Sequence, residues 1–162
     1  MSKKIDILIS LDPSEYSKYT FEWVLQNIID PQKHKVHVLT VQEDIELSTW
    51  YSPVTSTEMA EEFESIRKTV REKAEAMLKA YFKVLKEAFD GKLECEMVLA
   101  SGDARREIVE YSYKASADLV ILGSRGHGAV KRVFVGSTSD YCVHNCNCSV
   151  LIVKKPESVR DE

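Results

Sequence analysis

Residues 119–139 read LVILGSRGHGAVKRVFVGSTS. The first four residues are apolar, a pattern typical of a short strand buried on both faces, and this strand ends at Gly123. Three of the chain's six glycines then fall within six residues, at Gly123, Gly126 and Gly128. The serines and threonine at positions 137–139 favour the start of a helix. The stretch therefore predicts a buried strand, a glycine-rich loop and a helix, in that order.

The same alternation of strand and helix continues on both sides of this stretch. Strands are predicted at Ile5–Leu11, Val36–Gln42, Leu93–Leu99, Leu119–Leu122 and Ser149–Val153. Helices are predicted after the possible N-cap Ser14, from Met59 to Leu85 with Gly91 as the stop, after the N-cap Asp103, and from Ser137 to His144. Residues 43–57 are predicted to form a loop.

Five strands that alternate with four helices predict an α/β fold with an open, five-stranded parallel sheet and helices on both faces. The expected strand order is 3-2-1-4-5, a Rossmann-like arrangement in one domain over residues 1–155, with a polar tail at 156–162. In this order the second and third strands lie on one side of the first strand, and the fourth and fifth lie on its other side. The topological switch point is therefore between the first and fourth strands. Ligands of such sheets bind at the carboxyl ends of the strands beside that switch point, here Leu11-Asp12 and Leu122-Gly123.

Composition and charge argue against two classes of protein, those that bind nucleic acids through a basic face and those that span a membrane. The chain has 162 residues, is 44% hydrophobic and 30% charged, and carries a formal net charge of −4, so a basic nucleic-acid-binding face is not expected. Because no apolar run approaches ~20 residues, a membrane span is not expected either. The start MSKK leads directly into a strand pattern, so we expect no signal peptide, and we expect a cytoplasmic protein whose four cysteines are reduced thiols.

The glycine-rich loop and the helix after it predict a phosphate site. Glycine permits positive φ and close approach of a ligand, so a side chain at Gly126 or Gly136 should crowd the ligand or forbid the required backbone angle. The free N–H groups at a helix start suit a phosphate. The patterns GxxxxGK[ST] and GxGxxG are both absent from this loop. By itself, the stretch also fits a plain connection with serine caps.

The spacing G-x2-G-x9-G-[ST], formed by Gly123, Gly126, Gly136 and Ser137, resembles the ATP-binding motif of the universal stress protein family. The resemblance extends over nearly the whole chain. The segments that carry it are Ile5–Ser14, Val36–Val41, Val98–Gly102, Ala117–Gly136 and Cys148–Val153. It implies a fold of the adenine nucleotide alpha hydrolase type.

The resemblance also implies an adenine nucleotide, ATP or else ADP or AMP, at the strand ends. The implied binding residues are Asp12, Val41, Gly123, Ser124, Arg125, Gly126, His127, Gly128, Gly136, Ser137, Thr138 and Ser139. The backbone of Val41 would contact adenine, residues 123–125 would line the ribose, and the loop and helix start would hold the phosphates. Asp12 near the phosphates would require Mg²⁺ or Mn²⁺ between them, since like charges repel. Alternatively, Asp12 is an N-cap or forms an Asx turn before Pro13.

Three functions are compatible with these residues. The first is a nucleotide-dependent regulatory switch that acts in the stress response through unknown protein partners. The second is a slow ATPase or nucleotidyl-transfer enzyme on the same fold. The third is a dimeric interaction module that works without nucleotide. No positioned base, arginine finger or catalytic lysine is recognisable, so any hydrolysis is expected to be slow and no catalytic residue is assigned.

Two further features concern the last fifth of the chain. Cys142, His144, Cys146 and Cys148 fall within seven residues, which fits either a zinc site or, more simply, small buried thiols. Ser149–Val153 is expected at the sheet edge and lacks charge and proline until Lys154. An unprotected edge strand pairs readily, so a homodimer through this strand is predicted, as the family resemblance also implies.

Overall fold

The computed structural model describes residues 3–42, 57–125 and 135–156. Its elements in chain order are β1 (Ile5–Ser10), α1 (Glu15–Asn27), β2 (His34–Gln42), α2 (Thr57–Ala88), β3 (Glu94–Ser101), α3 (Ala104–Lys114), β4 (Leu119–Gly123), α4 (Ser137–Asn145) and β5 (Ser149–Val153). The loop predicted at 43–57 lies outside the described residues, except that residue 57 begins α2.

The strands form one sheet in the order β3-β2-β1-β4-β5, and every neighbouring pair is parallel. The predicted fold class and strand order are therefore confirmed. Strand β1 is central, and its Ile9 pairs with Val38 on one side and Ile121 on the other. The carboxyl ends of β1 and β4 consequently lie side by side at the switch point.

Helices cover both faces of this sheet. Alternate residues of a strand point to opposite faces, so a strand with apolar residues throughout presents an apolar surface on each face. Ile7 and Ile9 of β1 belong to a core that includes α1 and α2, whereas Leu8 belongs to a second core that includes α3 and α4. All three side chains are at most 1% exposed. Burial on both faces explains why β1 reads as a nearly continuous apolar run.

Several strand boundaries differ from the sequence prediction by one or two residues, and the start of β2 and the end of β3 differ most. β2 begins at His34, where it pairs with Ile5, although the apolar pattern begins only at Val36. β3 runs from Glu94 to Ser101 because its ladder with β2 continues to the pair Gln42–Ser101. Backbone pairing with a neighbour, which the apolar pattern of one strand does not reveal, decides both boundaries.

The predicted helix signals are confirmed. Ser14 and Asp103 are N-caps whose side chains accept hydrogen bonds from the N–H groups of Ser17 and Arg105. Gly91 ends α2 with a positive φ of 70°, and its N–H donates to Lys86 O over 2.8 Å. Among the described helices, none combines the length and apolar character needed to cross a bilayer.

We expect Asp103→Ala to lower the free energy of unfolding by about 1 kcal/mol at neutral pH, because it removes an N-cap. The Arg105 guanidinium, hydrogen-bonded to the carboxylate over 2.7 Å, lowers the pKa of Asp103. A group with a lowered folded-state pKa stabilises the fold above its unfolded pKa of about 4 and loses this effect as the pH falls through the folded value. The deficit of the variant should therefore shrink below about pH 4.

Urea unfolding from pH 7 down to pH 3 measures this effect. Asp103→Asn is the matched control, since it keeps a capping oxygen without the charge and should retain most of the stability at pH 7. Equal stability of the parent and Asp103→Ala at pH 7 would contradict the assignment of the cap.

Candidate functional site

The candidate site lies where β1 and β4 end. β1 leads into Asp12 and the start of α1, while β4 leads into Ser124 and Arg125. The start of α4 returns to the same place, because the Gly136 N–H donates to Ser124 O over 2.8 Å. Gly126, His127 and Gly128 lie outside the described residues.

Hydrogen bonds fix the start of α4 against the end of β4. Ser124 uses both of its backbone groups, because its N–H donates to Val153 O over 2.9 Å and its carbonyl accepts from Gly136. The Ser139 hydroxyl donates to Gly123 O over 2.8 Å and is buried. These bonds therefore hold together the end of β4 and the start of α4, the two elements that the loop connects.

The first turn of α4 presents donors at this point. Amides of a first turn have no partner within the helix, and Gly136, the N-cap, makes no side-chain hydrogen bond to them. Ser137 is exposed and Thr138 is half-buried, so both hydroxyls lie near the surface. The Ser139 hydroxyl instead donates its proton within the fold, which leaves its backbone N–H as its contribution to an anion site.

The absence of a side chain at Gly123 is required by packing. A Cβ there would lie 3.1 Å from Thr20 Oγ1 and 3.4 Å from Tyr16 O, both on α1. The distance to Thr20 is tighter than most real Cβ contacts and the distance to Tyr16 is at the limit of ordinary contact, so glycine at position 123 favours the close approach of β4 and α1. The role predicted for Gly123 at a ribose thus has a second, purely structural explanation.

Gly136 has an ordinary backbone conformation. Of the two reasons predicted for glycine here, crowding of the ligand or a special backbone angle, the second does not apply, because φ is −69°, an ordinary value for any residue. A Cβ would lie 3.5 Å from Ser124 O and 3.6 Å from Arg125 Cα, which are normal contacts. The fold itself therefore tolerates a side chain at position 136, and close approach of a ligand is the remaining reason for glycine.

The Asp12 carboxylate is held by the start of α1. Its Oδ1 accepts from the Ser14 N–H over 3.1 Å and from the Ser17 hydroxyl over 2.6 Å, while its own N–H donates to Ser17 Oγ over 2.9 Å. This is the Asx turn that the sequence allowed as an alternative. The turn fixes a half-buried carboxylate at the mouth of the site.

Arg125 is placed by Tyr16, a residue that sequence reasoning missed. Its Nη1 donates to the Tyr16 hydroxyl over 3.2 Å, and its guanidinium lies 5.7 Å from the centre of the Tyr16 ring. The two residues are 109 positions apart, so no local pattern could reveal the pair. Ser17 was also missed, although the spacing Asp12-x-Ser14-x-x-Ser17 is a local signal.

Val41 lies where the backbone of β2 extends beyond β1. In a strand, both polar groups of a residue point to one side, and the sides alternate along the chain. Leu39 O accepts from Leu11, on the β1 side, whereas Gln42 O accepts from Gly102, on the β3 side. The N–H and C=O of Val41 therefore face the side on which β1 has already ended.

The cysteines near the end of the chain do not form a metal site. Within the described residues, no group of three or more His, Cys, Asp or Glu side chains is placed to hold a metal ion. Cys142 is fully buried, and this burial raises the pKa of its thiol to about 12, so the thiol stays protonated at neutral pH. Cys146 and Cys148 are half-buried.

Comparison with known proteins identifies the family. The model of the universal stress protein family matches residues 5–154. A universal stress protein A-like protein of Arabidopsis thaliana is 27% identical over 145 residues, covering 89% of this chain and 81% of its own. A universal stress protein of Synechocystis sp. is 31% identical over 153 residues, covering 91% and 96%. The chain belongs to the universal stress protein family.

Solved structures of the family share the fold. A universal stress protein family protein from Arabidopsis thaliana with AMP bound superposes with a TM-score of 0.68 at 22% identity, covering 95% of this chain and 94% of its own. A universal stress protein in complex with cAMP gives a TM-score of 0.62 at 18% identity, covering 96% and 100%.

The two site glycines should respond differently to the same substitution. Gly123→Ala should lower the free energy of unfolding by ~1–3 kcal/mol, because the new methyl group crowds Thr20 and the α1 backbone. Gly136→Ala should change it by no more than ~0.5 kcal/mol, because its Cβ meets only normal contacts. Urea unfolding of both variants measures the difference, and equal losses would show that the packing of Gly123 is misassigned.

Proposed function

We propose that this protein binds ATP, or another adenine nucleotide, at the carboxyl ends of β1 and β4 and acts as a nucleotide-dependent regulatory switch in the stress response. The observation that carries the proposal is the start of α4, which the Gly136–Ser124 hydrogen bond holds at the end of β4 and whose first-turn amides have no partner within the helix. The AMP and cAMP complexes of its structural relatives support an adenine nucleotide as the ligand.

Each part of the nucleotide has a matching group. The outward N–H and C=O of Val41 suit adenine, which presents a ring acceptor beside an amino donor. Residues 123–125 line the ribose. The amides and hydroxyls of Ser137 and Thr138, together with the amide of Ser139, bind phosphate oxygens. The proposal also assigns phosphate contacts to residues 126–128, which lie outside the described residues.

Asp12 is the proposed contact for a divalent cation. Its carboxylate is held at the mouth of the site, and Mg²⁺ or Mn²⁺ fits because both prefer carboxylate and phosphate oxygens. Bound there, the cation would offset the repulsion between Asp12 and the phosphates. The Asx turn contributes by fixing the direction of the carboxylate before the nucleotide arrives.

The proposed activity is binding rather than turnover. The described groups at the strand ends are backbone amides, hydroxyls, the Asp12 carboxylate and the Arg125 guanidinium, which suit the binding and orientation of a nucleotide. A switch requires only that the two states, with and without nucleotide, present different surfaces to a partner. The cytoplasmic location is part of this proposal, since the four cysteines are free thiols.

Gly136→Val should weaken ATP binding by at least ~10-fold, about 1.4 kcal/mol. A side chain at this position points towards Ser124 and Arg125, where the ribose and phosphates are proposed to lie. Calorimetric titration with Mg-ATP measures the affinity. Asn147→Val is the matched control, because Asn147 is exposed and precedes β5 at the opposite end of the sheet.

Unchanged affinity in Gly136→Val would overturn the site. Repeating the titration with a chelator tests the cation contact. The parent should lose affinity when the metal is removed, and Asp12→Asn should lose less, since it no longer has a charge to neutralise. If the two proteins respond alike, Asp12 is not the contact for the cation.

The proposal includes a homodimer through β5, which lies at the edge of the sheet. Val153 O accepts from the N–H of Ser124, directly after β4, so the polar groups of Val153 point inward. Because the sides alternate along a strand, those of Val150 and Ile152 point outward and are available to a second copy. The strand side chains at positions 150–152 are half-buried and apolar, which favours such a partner.

Ile152→Pro should abolish the β5 contact and lower the mass of the assembly relative to the parent, because it removes one outward N–H, and edge strands tolerate proline there. Light scattering measures the mass. Ile152→Val keeps the N–H and should keep the mass of the parent, whereas Val153→Pro would break the inward ladder with β4. A parent that is monomeric at tens of micromolar would rule out the β5 interface.

A further inference from the structure

The first half of α2 extends away from the core. The helix has 32 residues, about 48 Å at 1.5 Å per residue, but among the side chains described, from residue 60 onward, only Leu78 and Leu85 are buried, both in the second half. From residue 60 to residue 73, every side chain is exposed except the half-buried Phe63. The sheet therefore anchors the second half and leaves four turns of helix uncovered.

An apolar stripe begins in the uncovered part and continues into the second half of α2. We define the stripe as Phe63, Ile66, Val70 and Met77, which recur at steps of three, four and seven residues and so share one helical face. Ile66 is 43% exposed and Val70 36%. Scattered exposed residues need no explanation, but an exposed row on one face of a helix is typical of an interface.

The charges of this part of α2 indicate what covers the stripe. Glu62 and Lys73 lie beside it on one side and Arg67 and Arg71 on the other, whereas Glu61 and Lys68 lie on the opposite face of the helix. Residues 61–64 include three glutamates, whereas residues 67–73 include four basic residues: Arg67, Lys68, Arg71 and Lys73. A second copy of the helix, antiparallel and centred near Ile66, brings the acidic block of each copy against the basic block of the other. A parallel copy would place like charges together.

We propose that α2 pairs with α2 of a second copy, antiparallel about a two-fold axis near Ile66, with the two stripes in contact. The partner is the same chain because the helix is complementary to itself in charge as well as in apolar pattern. An anionic membrane or a nucleic acid fits less well, because the acidic block would be repelled by either.

The charges are free to exchange partners. Within the helix, Arg67 lies 3.1 Å from Glu64, and Arg71 lies 3.1 Å from Glu75. Such exposed pairs contribute little, about 0–1 kcal/mol, so giving them up for contacts with a second copy costs little. The α2 surface is separate from the β5 edge, since β3 and β5 lie on opposite edges of the sheet and α2 packs against β2 and β3.

An introduced thiol tests the register directly. Ile66→Cys in the full chain places two thiols next to the proposed two-fold axis, so mild oxidation should give a crosslinked dimer. Val84→Cys is the matched control. Val84 is 42% exposed on the same helical face but lies 18 residues further along, so antiparallel copies hold the two thiols far apart. The parent, with its four native cysteines, gives the background.

A crosslinked dimer for position 66 above the parent, and none for position 84, supports the proposal. No excess at position 66, or equal crosslinking at both positions, overturns it. Because the crosslink reports on α2 alone, the β5 interface cannot mimic the result.

Charge reversal provides a second measurement. One variant carries Glu61→Lys, Glu62→Lys and Glu64→Lys, and the other carries Arg67→Glu, Lys68→Glu and Arg71→Glu. In an Ile152→Pro background, each variant alone should lose self-association, whereas an equimolar mixture should regain a species with the mass of two chains. Circular dichroism first confirms that both are helical.

A mixture that stays monomeric while the Ile152→Pro parent associates would contradict the antiparallel pairing. If the Ile152→Pro parent is itself monomeric at tens of micromolar, the pairing of α2 is likewise excluded. If either reversed variant loses its helix, Ile66→Ser decides in the same background. This exposed substitution should abolish association, and persistent association would overturn the proposal.

Discussion

In a parallel sheet covered by helices on both faces, a central strand has polar backbone groups available only where it ends, and the position of the candidate site follows from this constraint. Ile7, Leu8 and Ile9 are fully buried, so the middle of β1 can contribute only to packing. At its end the chain turns through Asp12, and the neighbouring β4 ends at Gly123. Donors and a carboxylate therefore collect at one edge of the sheet, at the point where the strand order reverses.

Glycine has two distinct physical roles at this edge. Gly123 allows β4 to lie close to α1, since a Cβ would crowd Thr20 and Tyr16. Gly136 has ordinary backbone angles and room for a Cβ, so the fold does not require glycine there. The remaining reason for glycine is the space that it leaves for the proposed ligand at the start of α4. One motif thus joins a requirement of the fold to a requirement of the proposed ligand.

Both proposed contacts between copies would bury groups that a single chain leaves exposed. The edge of β5 leaves alternate backbone groups unpaired by the sheet, and the first half of α2 leaves an apolar stripe uncovered. Two separate two-fold contacts on one chain would link copies into a closed tetramer or an open array, depending on how the axes meet. Nucleotide bound between β4 and α4 would lie next to β5, because Ser124 is bonded to Val153.

The sequence alone determined the elements and their order, because apolar periodicity, caps and glycine stops are local signals that a single chain displays. Ser14, Asp103 and Gly91 act as predicted. Only the tertiary structure decided contacts between distant residues. It pairs Arg125 with Tyr16, and it explains Asp6, a polar residue in a buried strand, by placing its carboxylate 3.2 Å from the buried His37. Such pairs depend on the register and the side-chain directions of elements that are far apart in the chain, which no local spacing encodes.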